Sequence, residues 1–297
     1  MTRRSILVTA GSAIALSGCG RLDFDVLSDA SASSDTTTAP PDGAAACAET
    51  TPFDPPVLIT ELSTAGTDAT LRLRADELSG VFWSSQSGDL EIYLATRATI
   101  DSPFQATIAT ALNSTSGEFD PTISADGTVV VFASNRPGSS GLDLYEATAM
   151  GGTFGPPARI AALISTADDQ QPNFWGDELY FSSKRSGTAA LYHARRTGLA
   201  TYSTPVLVAE ISGANENDPT LSADGLTIYW GSSRSGNGDI YTAQRATTAD
   251  TFGPATLVAN LSTPATDGPS WLSPDGCRLY LSSAIAGSPD IYVASRP

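Results

Sequence analysis

Four aspartates sit where acid–base chemistry would be possible. Asp68, Asp120, Asp218 and Asp267 each open a short stretch containing Thr or Ser, at related points of the sequence. Two carboxylates facing each other across a sugar-sized gap are what glycoside hydrolysis needs, one donating a proton while the other attacks or activates water. The same residues have a plainer use, because aspartates beside turns cap backbone N–H groups. Their recurrence favours the plainer use, since a catalytic residue usually occurs once. The single histidine, His193, directly follows Tyr192 and reads as a strand residue facing solvent or a neighbour. Arg136, Arg185 and Arg234 occupy matching loops and are expected to pair with acidic groups between structural units. No zinc spacing, phosphate loop or nucleophile elbow is present, so no metal and no cofactor is expected.

A repeat must position these residues. The clearest copy runs from Asn217 to Ala243: an extended piece, a reversal at Asp224-Gly225, an apolar strand from Leu226 to Trp230, a Ser-Ser-Arg-Ser-Gly loop and a strand at Asp239-Ile240-Tyr241. The Asp-Gly step supplies the positive φ of a tight hairpin, and β-branched and aromatic residues fill the strands. Aligned on the last strand, the copies end at Tyr93, Tyr145, Tyr192, Tyr241 and Tyr292, about fifty residues apart. Further extended segments lie between copies, at 108–112, 160–164, 206–211 and 257–261. Four strands per fifty-residue repeat, without helical periodicity, predict an all-β fold: a five-bladed β-propeller of four-stranded blades. The last copy ends at its third strand, Asp290 to Ala294. The matching segment Val57 to Thr64 is expected to pair with it and close the ring, removing an exposed edge. A sixth blade would have to hide in the N-terminal segment, whose composition argues against it.

That segment reads in two parts. Residues 1–18 have a basic start (Arg3, Arg4), an apolar run from Ile6 to Leu16 and small residues before Cys19, the pattern of a secretory signal. Residues 19–56 read as a flexible tether, rich in Ser, Asp, Thr, Ala, Pro and Gly and too poor in large apolar residues to offset ordering entropy. The folded domain is expected over residues 57–297. The formal charge of −16, with 32 acidic against 16 basic residues, excludes a nucleic-acid role.

Three resemblances follow from these motifs. Leu16-Ser17-Gly18-Cys19 resembles the lipobox of bacterial lipoproteins, which implies that Cys19 carries lipid and anchors the chain to a membrane. The neighbouring Thr2-Arg3-Arg4-Ser5 resembles a twin-arginine export signal, and Gly20 after the cysteine implies the outer membrane under the enteric sorting rule. The segments Asp120 to Tyr145 and Asp218 to Tyr241 resemble the WD40-like repeat of TolB-type propellers, a likeness covering the chain beyond the tether. Individual copies depart from it: Ala69 and Gly268 replace motif residues, the third turn is Asp177-Glu178, and Gln86 and Ile285 replace the loop arginine. The family includes periplasmic protein-binding scaffolds and propellers attached to peptidase or lyase machinery, so it implies fold and leaves activity open.

Two readings of function follow. The first is a monomeric, membrane-anchored scaffold outside the cytoplasm that binds a protein or glycan without catalysis. The second is a carbohydrate-active enzyme, hydrolase or lyase, using carboxylates at the channel. A deep pocket with unique carboxylates favours the second, a repeated lining the first. The third repeat, with Asp169, Trp175, Asp177 and Glu178, is the most individual. Cys47 and Cys277 are expected to pair. Export places them in an oxidising compartment, and ten extended residues reach about 33 Å, enough to bring Cys47 from the closing strand to the Asp275-Gly276 turn.

Overall fold

The computed structural model describes Cys47 and residues 51–297; Cys19, the export signal and most of the tether lie outside the described residues. Within residues 51–297 the chain forms five antiparallel sheets, the five blades of a β-propeller. Each blade begins at the centre: the first strands are Asp68–Leu73, Glu118–Ile123, Asp169–Trp175, Glu216–Leu221 and Asp267–Leu272. Second and third strands follow outward, as in Val129–Ser134 and Asp143–Met150 of blade 2. The fifth blade is completed by Val57–Leu58, which pairs with the last strand through Val57↔Val293 and Leu58↔Tyr292.

Apolar side chains on facing sheets fill the gaps between blades. Val81 and Ile92 of blade 1 pack with Val130, Phe132 and Tyr145 of blade 2, and the other gaps repeat this arrangement. Stacked faces of this kind are how a propeller buries both sides of its sheets.

The outer strands, Gln105–Ile108, Ala158–Arg159, Val206–Leu207 and Thr256–Leu257, are shorter than the sequence suggests, and all but the third begin earlier. The apolar residues that extend the pattern beyond them form a turn. Leu62, Leu112, Leu163 and Leu261 each donate their N–H to the carbonyl three residues earlier and insert between blades. Apolar residues spaced by three belong to such a turn; alternation by two would have marked a strand.

Packing also starts before Val57. Phe53 is buried against Tyr229, with the Arg296 guanidinium over its ring at 4.5 Å. It repeats Phe104 and Phe252, which lie under Arg97 and Arg245 in the same way. Residues 51–56 of the expected tether therefore lie on the domain.

Cys47 is bonded to Cys277, their Cα atoms 5.1 Å apart, and the Cys47 N–H donates to the Asp275 carbonyl at 2.9 Å. A bridge here ties the entering chain to the turn between the first two strands of blade 5. Peptide mapping of exported protein without reductant should recover the two cysteines as one cross-linked pair; alkylated thiols at both positions would dismiss it. Reduction should lower stability by about 2–4 kcal/mol.

Candidate functional site

The first strands carry a bulge at matching positions. Thr70, Asp120, Gln171 and Asp218 occupy it with φ between 49° and 60°. Left-handed backbone is costly for residues with a side chain and collects at functional sites. Blade 5 has Pro269 at this point, whose ring fixes φ near −65°, and its bulge falls one residue later. The bulged residues face the ring axis at the end where the first strands start.

This arrangement separates the four aspartates. Asp120 and Asp218 hold bulge positions at the channel mouth, in blades 2 and 4. Asp68 and Asp267 are two positions earlier in register, each paired with the closing serine of its second strand, and correspond to Glu118, Asp169 and Glu216. Both are buried, and each caps a turn: Asp68 accepts from the Thr64 N–H at 2.6 Å and Asp267 from the Thr263 N–H at 2.6 Å. The shared Asp-x-Thr or Asp-x-x-Ser look of the motif hides this offset.

Between the two mouth aspartates lies Arg72, fully buried. Its Nε donates to the Ser270 carbonyl at 3.0 Å and Nη1 to the Asp120 carbonyl at 3.4 Å, while Nη2 stands 3.9 Å from Asp218 Oδ1. Thr122, Asn173, Thr220 and Trp271 take the matching strand positions, and Asn173 and Thr220 also donate to the Ser270 carbonyl. The guanidinium thus floors the mouth. Sequence patterning does not single out Arg72; the only signal is that the matching residues are uncharged.

Above this floor is a cavity of about 290 Å³, bounded by Asp120, Asp218, Gln171, Thr70 and Trp83, with Asp267 at its border. Gln171 Nε2 donates to Asp218 Oδ2 at 3.0 Å, and the Thr70 hydroxyl donates to Asp120 Oδ1 at 3.2 Å while accepting from Trp83 Nε1. Burial, and then the charge of Asp120, push the Asp218 carboxyl up to about 7 against the pull of Arg72. Burial also raises Asp120, and it pushes Arg72 down to about 10. Burial thus favours the protonated form of both carboxyls. Gly268 lies against Asp218, where a Cβ would come within 2.8 Å of Oδ2.

The loop arginines lie elsewhere and differ from expectation. Each pairs with the acid that opens its own blade: Arg136 with Glu118, Arg185 with Asp169 and Arg234 with Glu216. The connection from the preceding blade contributes a carbonyl, Leu112, Leu163 or Ile211. The acid is local because the loop leads from the second strand, which is hydrogen-bonded to the first. His193 is at the outer rim, Nδ1 3.1 Å from Glu178 Oε2 with its ring stacked on Tyr180, far along its blade from the mouth. Trp175 covers the Asp224-Gly225 turn, donating to the Ala223 carbonyl. Among the described residues, no group of His, Cys, Asp and Glu is arranged to hold a metal ion.

No family model and no curated protein sequence matches the chain. Solved structures do. TolB from Acinetobacter baumannii superposes with a TM-score of 0.50 at 19% identity, covering 79% of this chain and 56% of that one. This chain therefore spans little more than half the length of that protein. A glycosyl hydrolase from Bacteroides ovatus gives 0.56 at 12% identity, over 82% of this chain and 93% of its own. The catalytic domain of a GH62 α-L-arabinofuranosidase from Coprinopsis cinerea gives 0.52 at 6% identity, over 82% and 96%. At such identities the likeness is one of fold.

Proposed function

We propose that this TolB-type β-propeller is a lipid-anchored protein of the bacterial cell envelope that binds a polar ligand, a glycan or a protein segment, at its channel mouth without turning it over. The observation carrying this reading is the cup itself. It offers two carboxylates, the Gln171 amide and the Trp83 ring, with the buried Arg72 guanidinium 3.9 Å from Asp218. Aromatic surface beside hydrogen-bonding groups on rigid strands suits a ligand rich in hydroxyl or amide groups.

Binding of the soluble domain, residues 47–297, to an array of envelope and plant glycans and to envelope protein extracts tests this. Asp120→Asn, Asp218→Asn and Trp83→Ala should each weaken capture at least about tenfold, the loss of one buried polar or aromatic contact. Capture unchanged in all three variants would end the assignment to the mouth. The anchor has its own test: wild-type protein should incorporate labelled fatty acid and Cys19→Ser should not, appearing instead in soluble fractions.

A hydrolase reading keeps one specific support. Asp218, raised to about 7, holds a proton near neutrality and faces Asp120 across the mouth. Release of reducing ends by wild type, lost in Asp218→Asn, would establish it and displace the binding-only reading.

A further inference from the structure

The cup has one bulky wall. At the strand position before each closing serine stand Trp83, Ala133, Ser182, Gly231 and Ser282. Blade 1 alone carries a large side chain there, and the cavity runs from its indole to Gly231, Gly238 and Gly268 of blades 4 and 5. Its volume of about 290 Å³ falls below the roughly 300–1,000 Å³ of sites for drug-sized molecules, so it takes one side chain or one small ring.

The ionisable residues of the lining are three carboxylic acids, Asp120, Asp218 and Asp267, with the buried Arg72 guanidinium beside them. Asp120 Oδ1 accepts from the Thr70 hydroxyl, and Asp218 Oδ2 from the Gln171 amide. Asp218 Oδ1 is different. Among the described residues no hydrogen-bond donor reaches it, Arg72 Nη2 standing at 3.9 Å, and the side chain is 19% exposed. A ligand can therefore reach this oxygen from solvent. The lining hydroxyls of Thr70, Ser232 and Ser282 already hold partners, which leaves little for the several hydroxyls of a sugar.

An open carboxylate oxygen beside an indole suits a cationic N–H donor, through a charge-assisted hydrogen bond and attraction to the ring face. With one oxygen free, a compact ammonium fits better than the two-pronged guanidinium. Building on the mouth as the binding site, we propose that it receives a lysine side chain of a protein partner, the methylene stem along Trp83 and the ammonium on Asp218 Oδ1. The chain's −16 charge favours the approach of such a basic partner. Binding should depend on pH. Asp218, faced by Asp120, Arg72 and Gln171 with Asp267 on the same cavity wall, is held up to about 7 and must be ionised to take the ammonium. Affinity should thus rise about tenfold from pH 6 to pH 8, while the lysine amine, titrating near about 10.4, keeps its charge throughout.

Calorimetric titration of the full chain with acetyl-lysine methylamide tests this at both pH values, with acetyl-norleucine methylamide as the uncharged analogue. The lysine compound should bind with that pH dependence, and the norleucine compound at least about tenfold more weakly. Asp218→Asn should abolish the preference for lysine. Because that change also disturbs Arg72, Gly231→Leu is a second check that leaves every carboxyl in place. A Cβ at Gly231 meets nothing closer than 3.6 Å, and the longer side chain takes the place in blade 4 that Trp83 holds in blade 1, so binding should be lost. Equal binding of the two compounds, or lysine binding that survives both variants, overturns the proposal. So does a response matched by calcium chloride at equal ionic strength, or tighter binding of glucosamine than of the lysine compound. Envelope capture that Trp83→Ala weakens, in a protein indifferent to the lysine compound, would refute the lysine and leave the mouth assignment standing.

Discussion

Replacing Arg72 by methionine should destabilise the domain by about 3–5 kcal/mol, the usual consequence of removing one member of a buried charge group. Methionine keeps the length and the packing, so the loss isolates the guanidinium. Two buried carboxylates, Asp120 and Asp218, would lose the positive charge of the guanidinium beside them, and the carbonyls of Ser270 and Asp120 would lose a donor. The deficit should grow with pH. Asp218 is raised in the folded state to about 7 from an ordinary 3.8, so the stability it contributes is full below pH 3.8 and lost as pH rises through about 7. Without Arg72 both carboxyls should rise further, and the variant should approach wild type near pH 4.5 and fall furthest behind near pH 8. Asp218→Asn should flatten this part of the profile. Urea unfolding across that range decides the matter; a deficit that is constant with pH would separate Arg72 from the carboxylates.

Removing the N-terminal strand should have a larger effect still. Deletion through Thr64 takes away Val57–Leu58, Ile59 and Leu62 and leaves the strand Asp290–Ser295 with an open edge and an uncovered apolar face. The expected product is aggregated protein. Deletion only through Pro56 spares that pairing but removes Phe53 and the cysteine bridge. It should give a monomer with a clearly lowered Tm, since losing a buried phenylalanine alone costs about 3–5 kcal/mol. Size-exclusion chromatography and thermal unfolding distinguish the two. A longer truncation that stays monomeric with an unchanged Tm contradicts the closure.

The ring, the number of blades and the closing strand are legible in the sequence because each rests on many weak signals in phase. Tight turns such as Asp126-Gly127 and Asp224-Gly225, the tyrosines and the apolar strands all recur at one interval. The mouth is less legible, because it depends on register. Asp68 and Asp120 look equivalent as letters, and only the pairing of Asp68 with Ser84 and of Glu118 with Ser134 shows that they are two residues out of step. Arg72 is invisible for a related reason: a charged residue in an apolar strand looks like a solvent-facing position until its neighbours are known to come from three other blades. The partners of Arg136, Arg185 and Arg234 follow from the hairpin that sets each loop beside the start of its own blade, a distance that sequence separation does not convey.

The cysteine bridge also has a directional consequence. Cys47 is joined to the turn at the far end of the first strand of blade 5, whereas the cup lies where the first strands begin, on the opposite side of the ring. A propeller moored through the residues before Cys47 is held by its back. The bridge moves the tie between the entering chain and the domain off the outer edge of the closing strand and onto the underside of blade 5. Tension on the leash would then pull on a covalent link to the body of the blade and spare the two-residue strand that closes the ring.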